Sequence, residues 1–165
     1  MRRVMILGCP GSGKSTFARA LADMTGLQLI YMDRLFWNED RTSVSRDLLD
    51  ERLADVVKRE KWIIDGNYQR TLRIRLDSCD TVFLFDLPLD VCLQGIRSRI
   101  GTVREDLPWV EPELDPDFEQ YVKDFPTHQL PEIYELLKEY PQIDLTVFKD
   151  RDDIEKYLKQ AESEA

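Results

Sequence analysis

Histidine is nearly absent: His128 stands alone among 165 residues. That excludes a His-rich metal site. Cysteine is scarce too. Cys9, Cys79 and Cys92 are odd in number, far apart and in no metal-ligand spacing, so reduced thiols are expected. Positive charge is in deficit, with 23 Lys and Arg against 32 Asp and Glu and a formal net charge of -9. Wide contact with a nucleic acid backbone needs the opposite balance, which argues against direct nucleic-acid binding. A local basic pocket for a phosphate-bearing small molecule stays open. Long apolar runs are missing as well. Arg2-Arg3 precede an apolar stretch, but it covers only Val4 to Leu7 before Gly8-Cys9-Pro10-Gly11 ends it. An export signal requires a longer one, and no segment approaches membrane-spanning length. The expectation is a cytoplasmic protein without membrane contact.

What is present reads as one domain over residues 1–165, with an ordinary hydrophobic fraction of 42%. Short apolar runs at Arg3–Leu7, Leu27–Met32, Trp62–Asp65, Thr81–Asp86 and Ile143–Phe148 predict five strands. Helical spacing lies between them. Phe17, Leu21 and Met24 follow Lys14 and stop at Gly26; Leu49, Leu53 and Val56 follow a Ser45 cap. Pro88 and Asp90 open a helix with Cys92, Ile96 and Ile100, and Asp115-Pro116 one with Phe118, Val122 and Phe125. Ile133, Leu137 and Tyr140 mark another, and Ile154, Tyr157 and Leu158 the last. Arg34 to Thr42 reads as a functional loop or short helix. Residues 101–117, rich in Pro, Glu and Asp, form a mobile excursion. The end, Glu162 to Ala165, is expected to fray. Strands separated by helices call for an α/β fold, a parallel sheet covered on both faces.

Gly8-Cys9-Pro10-Gly11-Ser12-Gly13-Lys14-Ser15 satisfies G-x-x-x-x-G-K-[ST], directly after a strand and before a helix. Its glycines bring backbone amides close to phosphate oxygens, and the helix N-terminus adds its positive end. Gly8 through Thr16 therefore form a candidate ATP site, with Lys14 reaching the β- and γ-phosphates and Ser15 ligating Mg2+. Cys9 holds a variable position and is given no chemistry. Two apolar strands end in aspartate, at Asp65 and Asp86; either could face the metal, and Asp65 is favoured by the turn-like Gly66-Asn67-Tyr68 behind it.

The loop GCPGSGKS, the run YMDRLFW and the run WIIDGNY resemble bacterial DNA topology modulation (FlaR-like) proteins, relatives of adenylate kinase. Cys92-Leu93, Arg99 and Arg104-Glu105-Asp106 extend the resemblance over nearly the whole chain. It implies a three-layer P-loop NTPase fold of the adenylate/shikimate-kinase type, with a five-stranded parallel sheet ordered 2-3-1-4-5. In that order Asp65 lies beside the phosphate loop. The resemblance also likens Asp65-Gly66 to the Asp-Gly turn of nucleotide kinases, which implies Arg70 as the holder of an acceptor phosphate. Asn67-Tyr68-Gln69 departs from that pattern.

Asp33, expected at the end of the second strand, is placed to accept a proton from an attacking hydroxyl or to orient substrate. Tyr31, Phe36, Trp37 and Tyr68 are candidates to line the acceptor pocket. Arg99 and Arg104, in a lid around 97–117 that begins at Arg97, are expected to close over the transferring phosphoryl. Arg70, Arg73 and Arg75 could recognise an anionic acceptor or form a surface run. The expected activity is transfer of the γ-phosphoryl of ATP-Mg to a small-molecule acceptor, a nucleoside monophosphate or a hydroxyl metabolite. The alternative is an ATP-binding regulator of the topology-modulation type.

Overall fold

The computed structural model describes residues 1–164. Five parallel strands form one sheet: β1 (Arg3–Gly8), β2 (Leu29–Tyr31), β3 (Trp62–Asp65), β4 (Thr81–Phe85) and β5 (Asp144–Phe148). Their order is β2-β3-β1-β4-β5, as the resemblance implied. β1 is central because its side chains Val4 to Leu7 are wholly buried, which requires cover on both faces. β2 and β5 are the edges, and β5 exposes Asp144 and Leu145.

The helices follow the sequence signals. In α1 (Lys14–Thr25), Phe17, Ala18 and Leu21 face the core, and Gly26 adopts the left-handed conformation at its end. Ser45 caps α3 (Arg46–Val57), its hydroxyl accepting from Leu48 N at 3.2 Å. Asp115 caps α6 (Pro116–Asp124) in the same way, with Pro116 in the first turn. The helix opened by Pro88 is α5 (Leu89–Ser98), followed later by α7 (Gln129–Leu137) and α8 (Arg151–Glu164). Phe17 sets α1 on the sheet through edge-to-face contacts with Phe83, Phe85 and Phe148, at centroid distances of 4.9, 5.4 and 5.3 Å. Tyr157 of α8 closes the same cluster.

Two differences from the sequence reading have physical causes. The second strand stops at Tyr31, and Asp33 sits in the first turn of a short helix, α2 (Met32–Phe36), where its charge meets the positive helix end. A 3-10 turn (Gln69–Thr71) and a helix, α4 (Leu72–Leu76), occupy the segment where no helix was expected. They bury Leu72, Leu76 and the cation Arg75 together, so no clean apolar period shows. The chain end is helical to Glu164, with Ala165 outside the described residues.

Candidate active site

The phosphate loop leaves β1 at Gly8 and enters α1 at Lys14. Gly11 and Gly13 take positive φ values of 83° and 97°, which side chains resist. The turn closes on the Cys9 carbonyl, which accepts from Ser12 Oγ at 2.6 Å and Lys14 Nζ at 3.1 Å. Helix α5 lies directly on this loop: a Cβ on Gly95 would stand 1.9 Å from the Gly11 carbonyl oxygen. Only glycine permits that approach. The Cys9 thiol, against Cys92 and buried, is pushed well above the ordinary thiol range, so it stays protonated.

At the carboxyl end of β3, Asp65 lies beside Ile6 of β1 in register. Its Oδ2 accepts from Ser15 Oγ at 2.6 Å, and its Oδ1 is buried without a partner. Burial pushes the Asp65 carboxyl up, against the pull of Lys14 and the Ser15 hydrogen bond. Burial likewise pulls the Lys14 ammonium down, and Asp65 opposes that. The Ser15 hydroxyl and the unused buried oxygen of Asp65 fit a magnesium ion whose other positions go to water and phosphate. Among the described residues no three His, Cys, Asp or Glu cluster as a self-sufficient metal cage, which such a site does not need. Asp86 goes elsewhere: it accepts from Tyr134 Oη at 2.6 Å and pairs with Lys149.

Asn67, which the sequence reading left without a role, clips the loop to the turn after β3. Its Oδ1 accepts from Gly8 N at 2.9 Å and its Nδ2 donates to Gly8 O at 2.7 Å. Beneath the turn, Arg75 is fully buried and donates to the carbonyls of Gly66, Asn67 and Tyr68. Burial draws its pKa down to about 9. Neither role leaves a local signature in the sequence.

Two adjoining cavities open along the carboxyl edge of the sheet. One, of about 480 Å³, is lined by Gly11, Gly13, Thr16, Arg19 and Gly95 among others. The other, of about 800 Å³, is lined by Asp33, Trp37, Gly66 and Tyr68, with Phe36 and Tyr31. Lys14, Ser15, Arg99, Arg104 and Asp106 line both. Asp33 accepts a short hydrogen bond from Tyr68 Oη, and burial, with that bond opposing it, raises its carboxyl above the ordinary value.

The arginines divide. Arg99 makes no ion pair among the described residues, and its Nε is buried without a partner. Arg104 is clamped, donating through Nε to Asp106 at 3.1 Å and through Nη1 to Glu111 at 3.3 Å. Arg97 pairs with Glu119, and Arg73 with Glu139. Arg70 lies outside both linings, held bidentately by Asp50 at 2.8 and 3.0 Å. The cavity wall also includes Trp109, within the segment read as an excursion, Phe118, read only as a helix face, and Tyr121, which the sequence did not single out.

No family model matches the chain. Adenylate kinases of Thermotoga petrophila and Thermotoga maritima are each 27% identical over 88 residues, which is 52% of this chain and 39% of theirs. The chain thus matches about two fifths of the length of these curated relatives. Among solved structures, shikimate kinase of Acinetobacter baumannii in complex with shikimate superposes with a TM-score of 0.60 at 19% identity, over 99% of this chain and 95% of that one. A gluconokinase of Sinorhizobium meliloti gives 0.59 at 14%, over 97% and 89%. With the strand order and the phosphate loop, these likenesses show that the chain has the P-loop kinase fold.

Proposed function

We propose that the protein is a small-molecule kinase that moves the γ-phosphoryl of ATP to a hydroxyl acceptor. The observation that carries this is the pair of cavities joined at Lys14, Ser15, Arg99 and Arg104, with a carboxylate, Asp33, on the far side of the junction. The smaller cavity suits the nucleotide, since the loop amides and the N-terminus of α1 face it. The larger suits the acceptor. Lys14 binds the β- and γ-phosphates, and Ser15 with Asp65 would hold Mg2+, which supplies charge neutralisation on those oxygens.

The acceptor hydroxyl oxygen forms a bond to the γ-phosphorus while the bond to the β-phosphate oxygen breaks. The hydroxyl proton passes to Asp33, whose raised pKa makes it a stronger base than an exposed carboxylate. Arg99 is free to follow the charge that spreads over the equatorial oxygens. Tyr68 Oη holds Asp33 in place, and the Asn67 clip fixes the loop relative to it. A nucleotide-gated regulator of DNA topology, the alternative the resemblance raises, needs no carboxylate at the acceptor end; Asp33 favours the kinase. The same reading places the protein in the cytoplasm, where ATP is abundant and its three unpaired cysteines stay reduced.

The test is phosphoryl transfer from MgATP to a panel of hydroxyl compounds, with Asp33→Asn alongside. Transfer lost in the variant while ATP still binds supports the assignment; equal transfer in both proteins removes Asp33 from the role of base.

A further inference from the structure

We propose that the acceptor is a hydroxyl compound with no anionic group, held by a ring or flat apolar face; this rests on the kinase reading above. The acceptor cavity has an aromatic wall. Phe36 meets Trp37 at 4.7 Å and Tyr68 at 5.2 Å, and Trp37 meets Trp109 at 5.4 Å, all edge to face. Phe118 and Tyr121 line the same space. Such rings bind sugar faces and planar bases through contact area and need no anionic group on the ligand.

Charge then decides between acceptors. Carboxylates outnumber guanidiniums along this cavity: its lining holds Asp33, Asp106, Glu111, Glu113 and Asp115 against Arg41, Arg99 and Arg104. Arg104 is already committed to Asp106 and Glu111, with its side chain only 13% exposed and that of Asp106 only 9%. Drawing it onto an acceptor anion would strand two largely buried carboxylates, a heavy cost. The guanidinium of Arg41 lies over the Trp109 ring, 5.9 Å from its centroid. Arg70, the residue the family resemblance offered for an acceptor phosphate, is bound to Asp50 outside the cavity. Arg99 lines both cavities and is required where the phosphoryl passes.

An acceptor carboxylate or phosphate would thus meet Asp33 and Glu113 with only Arg41, seated on Trp109, to offset them once Arg99 serves the phosphoryl. A neutral hydroxyl compound meets no such repulsion. An amino group on it would gain from the same carboxylates and from the ring faces. The shared chemistry is a hydroxyl on a non-anionic scaffold.

The experiment measures acceptor-dependent ADP release from MgATP by the full chain with matched probes. These are a nucleoside and its 5′-monophosphate, and a hexose, its amino sugar and its hexonic acid. The non-anionic member of at least one set should be preferred by about tenfold or more in kcat/KM. Glu113→Lys, at an exposed position, should narrow that preference several-fold. Turnover that favours the anionic members, or no preference in any set, overturns the proposal. The first of those results leaves the kinase reading standing. The kinase reading itself falls separately if Lys14→Ala turns over ATP as the wild type does.

Discussion

The Ser15 hydroxyl donates to one oxygen of Asp65 at 2.6 Å and leaves the other oxygen buried and unpartnered. An unused charged oxygen in the interior costs stability unless something else occupies it. On the proposed kinase reading, that occupant would be the magnesium shell. Asp65→Asn should therefore raise the magnesium concentration needed for half-maximal turnover by roughly 10–100-fold. A magnesium titration of wild type and variant checks this; superimposable curves would remove Asp65 from the metal shell.

The same burial makes a stability prediction with a definite sign. Asp65 and Asp33 have raised carboxyls, so the folded chain holds those protons more tightly than the unfolded chain does. Their contribution to stability is lost as pH rises from the ordinary carboxylate value through the raised one. Without nucleotide or metal, Asp65→Asn should melt higher than the wild type at neutral pH, and the gain should shrink as pH falls towards the ordinary carboxylate value. Thermal melts across pH would show it, and a variant that melts lower at pH 7 would contradict the burial argument.

Asp33→Asn should cut transfer to a hydroxyl acceptor by roughly 100-fold or more while leaving the KM for ATP near its wild-type value. The wild-type rate should rise with pH through a base pKa above the ordinary carboxylate value, because only the ionised form accepts the proton. The variant should lack that limb. A pH–rate profile of both proteins decides the matter.

Gly95→Ala places a methyl 1.9 Å from the Gly11 carbonyl oxygen, so α5 and the phosphate loop must separate. Arg99 caps the C-terminus of the same helix, directly after Ser98. ATP affinity, kcat and melting temperature should all fall, because the clash is with backbone. Arg75→Met should act through the turn after β3. It strands the carbonyls of Gly66, Asn67 and Tyr68 and should cost about 3 kcal/mol in chemical denaturation.

The fold was legible because its signals are local. Short apolar runs, the Ser45 and Asp115 caps and the stop at Gly26 each act within a few residues. The phosphate loop is legible for the same reason, since its chemistry needs a fixed spacing along the chain. Other parts of the site depend on distance in space. Asn67 reaches back 59 positions to Gly8, and Arg104 finds Glu111 across a loop. Arg75 has the same residue type as Arg70 and Arg73, yet it alone is buried, because only the packing of α4 distinguishes them. The segment containing Trp109 gave no helical or strand period, so its turn into the cavity wall had no sequence signal.

The most direct test of the central claim is acceptor-dependent ADP formation from MgATP, compared between wild type and Lys14→Ala across a panel of hydroxyl compounds. The account predicts strong stimulation of the wild type by one class of acceptor, with a phosphorylated product, and loss of turnover in Lys14→Ala. Equal turnover in the two proteins, or no stimulation of the wild type by any acceptor, would contradict it.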